Sequence, residues 1–231
     1  MALTYFYEPE ITPNTTAFTL SEETSKHCVK VLRMDKGEQL NLTDGKGNLF
    51  TASILIADKK STEVKIDSTI SVPQLKRKIS IAISLLKNTG RFEWFLEKAT
   101  EIGVSKIIPL ICHRTERQHF RYDRMNNVLI AAMLQSQQSW LPELNEPMHF
   151  EQVLGFPHQK FIAHCEAQQK KELKEFPISG NVLMLIGPEG DFARDEISSA
   201  LQNNFQAVSL GNTRLRAETA GVVAATLLMN L

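Results

Sequence analysis

The sequence predicts an α/β domain with a mostly parallel sheet, preceded by a small β-rich domain. Three observations carry this. Short alternating strands with tight turns fill about the first seventy residues. The hydrophobic period changes at Val72-Pro73-Gln74. Beyond it, continuous apolar runs alternate with amphipathic segments. We place the domains at residues 1–72 and 73–231. A chain of 231 residues, 42% hydrophobic and 23% charged, suits two modest domains or one large one with a real core.

In the first domain, residues 3–7 form an apolar and aromatic strand. Ser21 precedes Glu22 and Glu23, a cap with carboxylates in the positive first turn of a helix. Cys28, Val31 and Leu32 share one face, which carries that helix to about Met34, and Gly37 stops it. A strand over 39–43 enters the turn Asp44-Gly45-Lys46-Gly47, and a strand over 48–56 leaves it. Residues 62–70 alternate again through Val64 and Ile66. Short strands with tight turns point to a compact barrel or barrel-like sheet.

In the second domain, residues 78–86 read as a strand buried on both faces. Thr89 caps a helix whose apolar face is Phe92, Phe95, Leu96, Ala99 and Ile102, ending at Gly103. A strand follows over 104–111, and Met125, Val128, Leu129, Ala132 and Met133 mark a helix. Strands over 160–164, 182–186 and 207–210 and helices over 195–201 and 217–228 complete the alternation.

Several function classes drop out. No apolar run reaches the ~18 residues of a membrane span, and the first residues lack the pattern of a secretory leader. Cys28, Cys112 and Cys165 have neither disulfide nor zinc spacing, so reduced, buried thiols in a cytoplasmic protein are expected, with no metal. Zero net charge argues against a strongly basic, non-specific nucleic-acid binder and leaves a local patch as the route to RNA. Neither GxxxxGK[ST] nor GxGxxG occurs, which counts against a phosphate cradle.

Ligands of parallel sheets bind at the carboxyl ends of the strands, and two loops there are unusual. Residues 185–192 read Leu185-Ile186-Gly187-Pro188-Glu189-Gly190-Asp191-Phe192. The glycines let backbone approach a ligand closely, and Glu189 offers a carboxylate to a cation. The same residues suit a plain strand-to-helix turn with a solvated Glu. Residues 210–220 read Leu210-Gly211-Asn212-Thr213-Arg214-Leu215-Arg216-Ala217-Glu218-Thr219-Ala220. Arg216 and Glu218 sit at a helix start, where capping plus a surface ion pair also accounts for them.

Together these loops resemble the paired signature of the RsmE family of SPOUT methyltransferases, GPEGG-F followed by LG-x-x-(I/L)LR-x-ETA. The resemblance runs along the chain. His27-Cys28-Val29-Lys30-Val31-Leu32-Arg33-Met34, the Asp44–Gly47 turn and Lys98-Ala99-Thr100-Glu101-Ile102-Gly103-Val104 resemble family segments in order, and Gln135-Ser136 with Pro142 matches a further one in part. Departures fall at Asp191, in place of a glycine, and at Leu134 and Gln138, in place of an acid and an arginine. Asp191 is expected to cap the following helix.

The resemblance implies a homodimer with a PUA-like RNA-binding domain and a SPOUT domain carrying a deep trefoil knot. It implies S-adenosylmethionine as cofactor, held by His164, by Leu185, Ile186, Gly187, Pro188, Glu189 and Gly190, and by Leu210, Gly211, Leu215, Arg216 and Ala220. The implied reaction methylates N3 of a uridine in 16S ribosomal RNA of the small subunit. Arg216 is then expected to orient the uracil or a phosphate, and Glu218 to position Arg216 or take the proton. RNA contacts are expected at Lys30, Arg33, Arg114 and Arg117, with Phe120 stacking on a base and Arg124 and Lys76-Arg77-Lys78 extending the path. Glu101 suits an ion pair with Lys98 or a role at an interface. Two other readings stay open: an RNA-binding protein that has lost the chemistry, and a SPOUT enzyme acting on another RNA site.

Overall fold

The computed structural model describes residues 3–166 and 170–231; Met1 and Ala2, part of the stretch read for a leader, lie outside the described residues. The chain divides into two units, Met1–Gln74 with Met133–Leu141, and Leu75–Ala132 with Pro142–Leu231.

The first unit is a curled five-stranded sheet in the order β1-β3-β4-β5-β2, with β1 at Tyr5–Tyr7, β2 at Ala17–Thr19, β3 at Gln39–Thr43, β4 at Asn48–Ile56 and β5 at Glu63–Ser71. Its core is Phe6, Leu40, Leu42, Phe50, Ile54 and Val64 with Cys28, the inward positions of alternating strands. The expected hairpin joins β3 to β4, with Thr43 opposite Leu49. Gly45 and Gly47 take φ of 70° and 95°, and the Asp44 carboxylate accepts from the amides of Lys46 and Asn48. Trp140 folds over this turn and donates its indole N–H to the Val72 carbonyl at 2.9 Å. A side chain at Gly47 would meet the indole at 2.4 Å. Helix α1 (Glu22–Lys26) is capped by Ser21 as expected, but the following turn, His27–Val31, is a π-helix rather than a continuation of α1.

The second unit is built on a parallel sheet in the order β11-β13-β10-β12-β6-β7-β8, with β9 also on β7. These strands are β6 (Ile79–Ser84), β7 (Lys106–Ile111), β8 (Glu143–Leu144), β9 (Met148–His149), β10 (Gln159–Ala163), β11 (Lys171–Glu172), β12 (Val182–Ile186) and β13 (Gln206–Ser209). Every residue of β6 and β12 is buried; β12 reads as an unbroken apolar run, and β6 carries the buried Ser80 and Ser84 among its apolar residues. The helices are α2 (Thr89–Ile102), α3 (Tyr122–Gln135), α4 (Phe150–Val153), α5 (Arg194–Gln202) and α6 (Ala217–Met229). The cap of α2 is Asn88 rather than Thr89: its Oδ1 accepts from the Gly90 amide at 2.9 Å. Gly103 ends α2 in the left-handed conformation, φ 97°. Helix α6 lies so close to α2 and β6 that a Cβ at Gly221 would meet the Phe95 ring at 2.6 Å and Ile83 at 3.2 Å.

Candidate active site

Strands β13, β10 and β12 are neighbours, run parallel, and end on one edge of the sheet. Each hands the chain to a loop there. After β12 the chain turns through Gly187, Pro188, Glu189 and Gly190. The turn closes with the Asp191 amide on the Pro188 carbonyl at 2.9 Å. Gly187 sits close to Phe192: a Cβ there would lie 3.0 Å from the Phe192 ring and 3.2 Å from its amide nitrogen, so a side chain would press on that residue.

Asp191 does not cap α5, whose N-cap is Ala193. It adopts the left-handed conformation, φ 65°, where glycine is the easy choice. Its carboxylate accepts from its neighbour, the Phe192 amide, at 2.9 Å, and from the Cys165 amide at 2.7 Å. The β12 loop is thereby tied to the end of β10. The carboxylate that caps α5 is Glu196, which accepts from the Ala193 amide at 2.8 Å and from the His113 amide at 2.9 Å. Arg114 completes the brace, donating to the carbonyls of Gly190 at 2.7 Å and Phe192 at 3.3 Å.

After β10 comes His164, only 7% exposed. The Lys170 ammonium lies 3.3 Å from its Nδ1 and donates to its carbonyl at 2.5 Å. An ammonium can only donate, so Nδ1 accepts and the ring proton sits on Nε2. That Nε2 is buried and has no hydrogen-bond partner. Burial first, and then the Lys170 charge, hold the imidazole below its ordinary pKa, so it is neutral at pH 7. After β13, Gly211 takes φ 131°, and Ser209 Oγ accepts from its amide and donates to its carbonyl. Arg216 is the N-cap residue of α6.

These loops enclose two cavities. One, of about 280 Å³, is lined by Ile186, Gly187, Pro188, Glu189 and Asp191 on one side and Arg214, Leu215, Arg216, Ala217 and Ala220 on the other, with Arg91 at its edge. The second, of about 420 Å³, is lined by His164, Lys170 and residues 208–215. They share Ala163, Cys165, Arg214, Leu215 and Ala220, so they form one cleft. A niche of about 390 Å³ adjoins it between α2 and α6, lined by Asn88, Arg91, Trp94, Arg216, Glu218 and Thr219.

Most residues singled out in the sequence meet here. His164, Ile186, Gly187, Pro188, Glu189, Leu210, Gly211, Leu215, Arg216 and Ala220 line the cleft. Leu185 and Gly190 do not: Leu185 packs into the core, and Gly190 lies against Arg114. Glu218 lies in the niche, 6% exposed, and the cation beside it is Arg91, at 3.7 Å, rather than Arg216. Its Oε2 has no hydrogen-bond partner. Arg117 does not line the cleft; it borders an adjoining depression with Lys87, Arg91 and Glu189.

The remaining residues named in the sequence are placed as follows. Phe120 is half-buried and packs edge-on against Phe92 and Tyr122. Arg124 is held by the Glu93 carboxylate in a two-point ion pair. Cys165 is exposed and lines the cleft, although Cys28 and Cys112 are buried. Glu101 pairs with Lys98 at 2.9 Å. Lys30 and Arg33 are exposed in the first unit, beside exposed Val31 and Leu32, and Arg33 has φ 58°.

The sequence reading missed Arg91 and Trp94 and gave Asp191 a different role. The signal for the first two was available: a buried strand, β6, followed by a cap and a helix, the same pattern that singled out the two loops.

The RNA methyltransferase domain family matches residues 73–229, and the RNA methyltransferase PUA domain family matches residues 20–67. A Synechocystis relative named ribosomal RNA small subunit methyltransferase E is 30% identical over 89% of this chain and 70% of its own length. The chain belongs to the ribosomal RNA small subunit methyltransferase E family. Among solved structures of similar fold, the family enzyme from Neisseria gonorrhoeae, bound to S-adenosylmethionine, superposes with a TM-score of 0.90 at 28% identity, covering 99% of this chain and 98% of that one. A Legionella pneumophila structure, described as a candidate methyltransferase with bound cofactor SAM, gives 0.89 at 32% identity, covering 100% and 98%.

Proposed function

We propose that this chain transfers a methyl group from S-adenosylmethionine to N3 of a uridine in 16S ribosomal RNA of the small subunit. The observation that carries the reading is the cleft at the ends of β10, β12 and β13, built from the same two loops that carry the family signature. Its residues fit the cofactor. Ile186, Leu215, Ala163 and Ala220 give apolar walls, Gly187 brings backbone to the surface, and the buried Nε2–H of His164 lacks an acceptor. We therefore assign His164, Ile186–Glu189, Leu210, Gly211, Leu215, Arg216 and Ala220 to cofactor binding, with Leu185 and Gly190 shaping the loop from behind. The bound cofactor supplies an electrophilic methyl group on a sulfonium.

Arg216 and Glu218 serve the acceptor. The N3–H proton must leave, and a buried carboxylate with a free oxygen receives it. N3 gains the methyl group, and the sulfur keeps the electron pair of the bond that breaks. Holding N3 in line is a large part of the rate, and the uracil must be unstacked to reach the cleft. Residues 1–72 form the RNA-binding domain and 73–231 the methyltransferase domain. Lys30, Arg33 and Arg117 contact RNA, and Arg114 acts on the cofactor loop as well. The protein works as a homodimer in the cytoplasm, where its substrate is made; light scattering in solution tests the dimer. If Arg216→Ala and Glu218→Gln both keep wild-type methylation rates, the catalytic assignment is wrong.

A further inference from the structure

Within the second unit, the niche beside the cofactor cleft holds an unusual combination. Trp94, on the first turns of α2, is 42% exposed, although it is the largest apolar side chain on that helix. Next to it, Glu218 is more than nine-tenths buried, yet only its Oε1 has a partner, Arg91 at 3.7 Å. Arg216 lines the same niche. A buried carboxylate oxygen left without a donor is costly, and such groups in native structures point to a ligand that supplies one.

We infer that this niche is the seat of the target base, and that Arg91 and Trp94 are its recognition residues. The inference rests on the methyltransferase reading above and names what that reading leaves unassigned. The indole offers a face for stacking an unstacked base. Arg91, Glu218 and Arg216 line the niche and together offer two donors and one acceptor to a base edge. The imide edge of uracil presents the complement: carbonyl, N–H, carbonyl. Cytosine does not fit, because its N3 is an acceptor and would face the carboxylate with a lone pair. Arg91 and Arg216 also line the cofactor cavity, so a base seated here adjoins the methyl donor. Two guanidiniums at the carbonyl oxygens face the charge that those oxygens gain as N3 loses its proton.

The test uses the full chain, small ribosomal subunits from cells lacking the gene, and S-adenosylmethionine. Methyl transfer is measured for the wild type, Arg91→Ala, Trp94→Ala and Trp94→Phe, with cofactor affinity by calorimetry. Loss of one base–aromatic stack predicts a fall in kcat/KM of roughly 5- to 150-fold for Trp94→Ala. Trp94→Phe should restore most of it, and cofactor affinity should match wild type in both Trp94 variants, because Trp94 lines the niche and not the cofactor cavity. Subunits carrying cytidine at the target should be poorer substrates by on the order of 100-fold or more. If Arg91→Ala and Trp94→Ala keep wild-type kcat/KM while the wild type methylates, the seat is elsewhere and the activity stands. If rate and cofactor affinity fall together in Trp94→Ala, the indole is structural and the inference is wrong. If the wild type transfers no methyl group, the proposed activity fails and takes the seat with it.

Discussion

Replacing Asp191 separates two contributions that the β12 loop combines. The residue stands in the left-handed region, φ 65°, and its carboxylate accepts two backbone N–H groups, from Cys165 at 2.7 Å and from Phe192 at 2.9 Å. Asp191→Gly removes both hydrogen bonds but relieves the backbone. Hydrogen bonds to a charged group contribute ~1.5–3 kcal/mol each, and partial exposure to water lowers this, so the pair together contributes about 2 kcal/mol. Asp191→Ala removes the same bonds and keeps the strain of a Cβ in the left-handed region, ~1 kcal/mol, which the wild type also carries and Gly does not. The expected order of stability is wild type, then Gly, then Ala, with a loss of about 1 kcal/mol for Gly and about 2 kcal/mol for Ala. At ~2–4 °C per kcal/mol for a domain of this size, the melting temperature should fall by about 4–8 °C for Ala and about 2–4 °C for Gly. Calorimetry should show weaker S-adenosylmethionine binding in both, because the tie to Cys165 holds two walls of the cleft together. Scanning calorimetry and titration calorimetry measure the two effects. Equal melting temperatures and cofactor affinities across all three proteins would refute the reasoning.

Three further outcomes are expected. Arg114→Ala frees the carbonyls of Gly190 and Phe192, so cofactor affinity should drop several-fold; a change in RNA affinity alone would place Arg114 on the RNA path instead. Gly221→Val forces a branched side chain into Phe95 and Ile83, and overpacking of this kind costs ~1–3 kcal/mol; an unchanged melting temperature would show that α6 can shift without loss. His164 is a base whose folded pKa lies below its ordinary value of 6.5. As pH falls below 6.5, the unfolded chain takes up a proton that the folded chain does not, so folding loses stability between that point and the folded pKa. Its NMR titration should have a midpoint below 6.5, and a midpoint at or above 6.5 would contradict the buried, neutral assignment.

Much of the second unit was legible because burial on both faces leaves an unbroken apolar run. Residues 182–186 read as a strand and are one, β12. The two loops were found because each follows such a run and opens a helix. What escaped depends on strand order and on side-chain direction. The Asn88–Trp94 segment has the same run-then-cap pattern, but only the pairing of β6 with β12 brings it to the site. Leu185 sits on a strand that borders the cleft, yet its side chain turns into the core, which periodicity cannot tell for a strand buried on both sides. Asp191 read as a helix cap because acids cap helices; its positive φ is a property of the turn and has no signature beyond the glycine it replaces. Phe120 read as available for stacking, but Phe92 and Tyr122, distant or adjacent in sequence, gather around it. Trp140 covering the Gly45–Gly47 turn is a non-local contact that no local pattern encodes.

The most direct test of the central claim is mass spectrometry of 16S ribosomal RNA from cells with and without this gene. One 3-methyluridine should disappear without the gene, return with the wild-type chain, and fail to return with Glu218→Gln. An identical modification pattern in the two strains would contradict it.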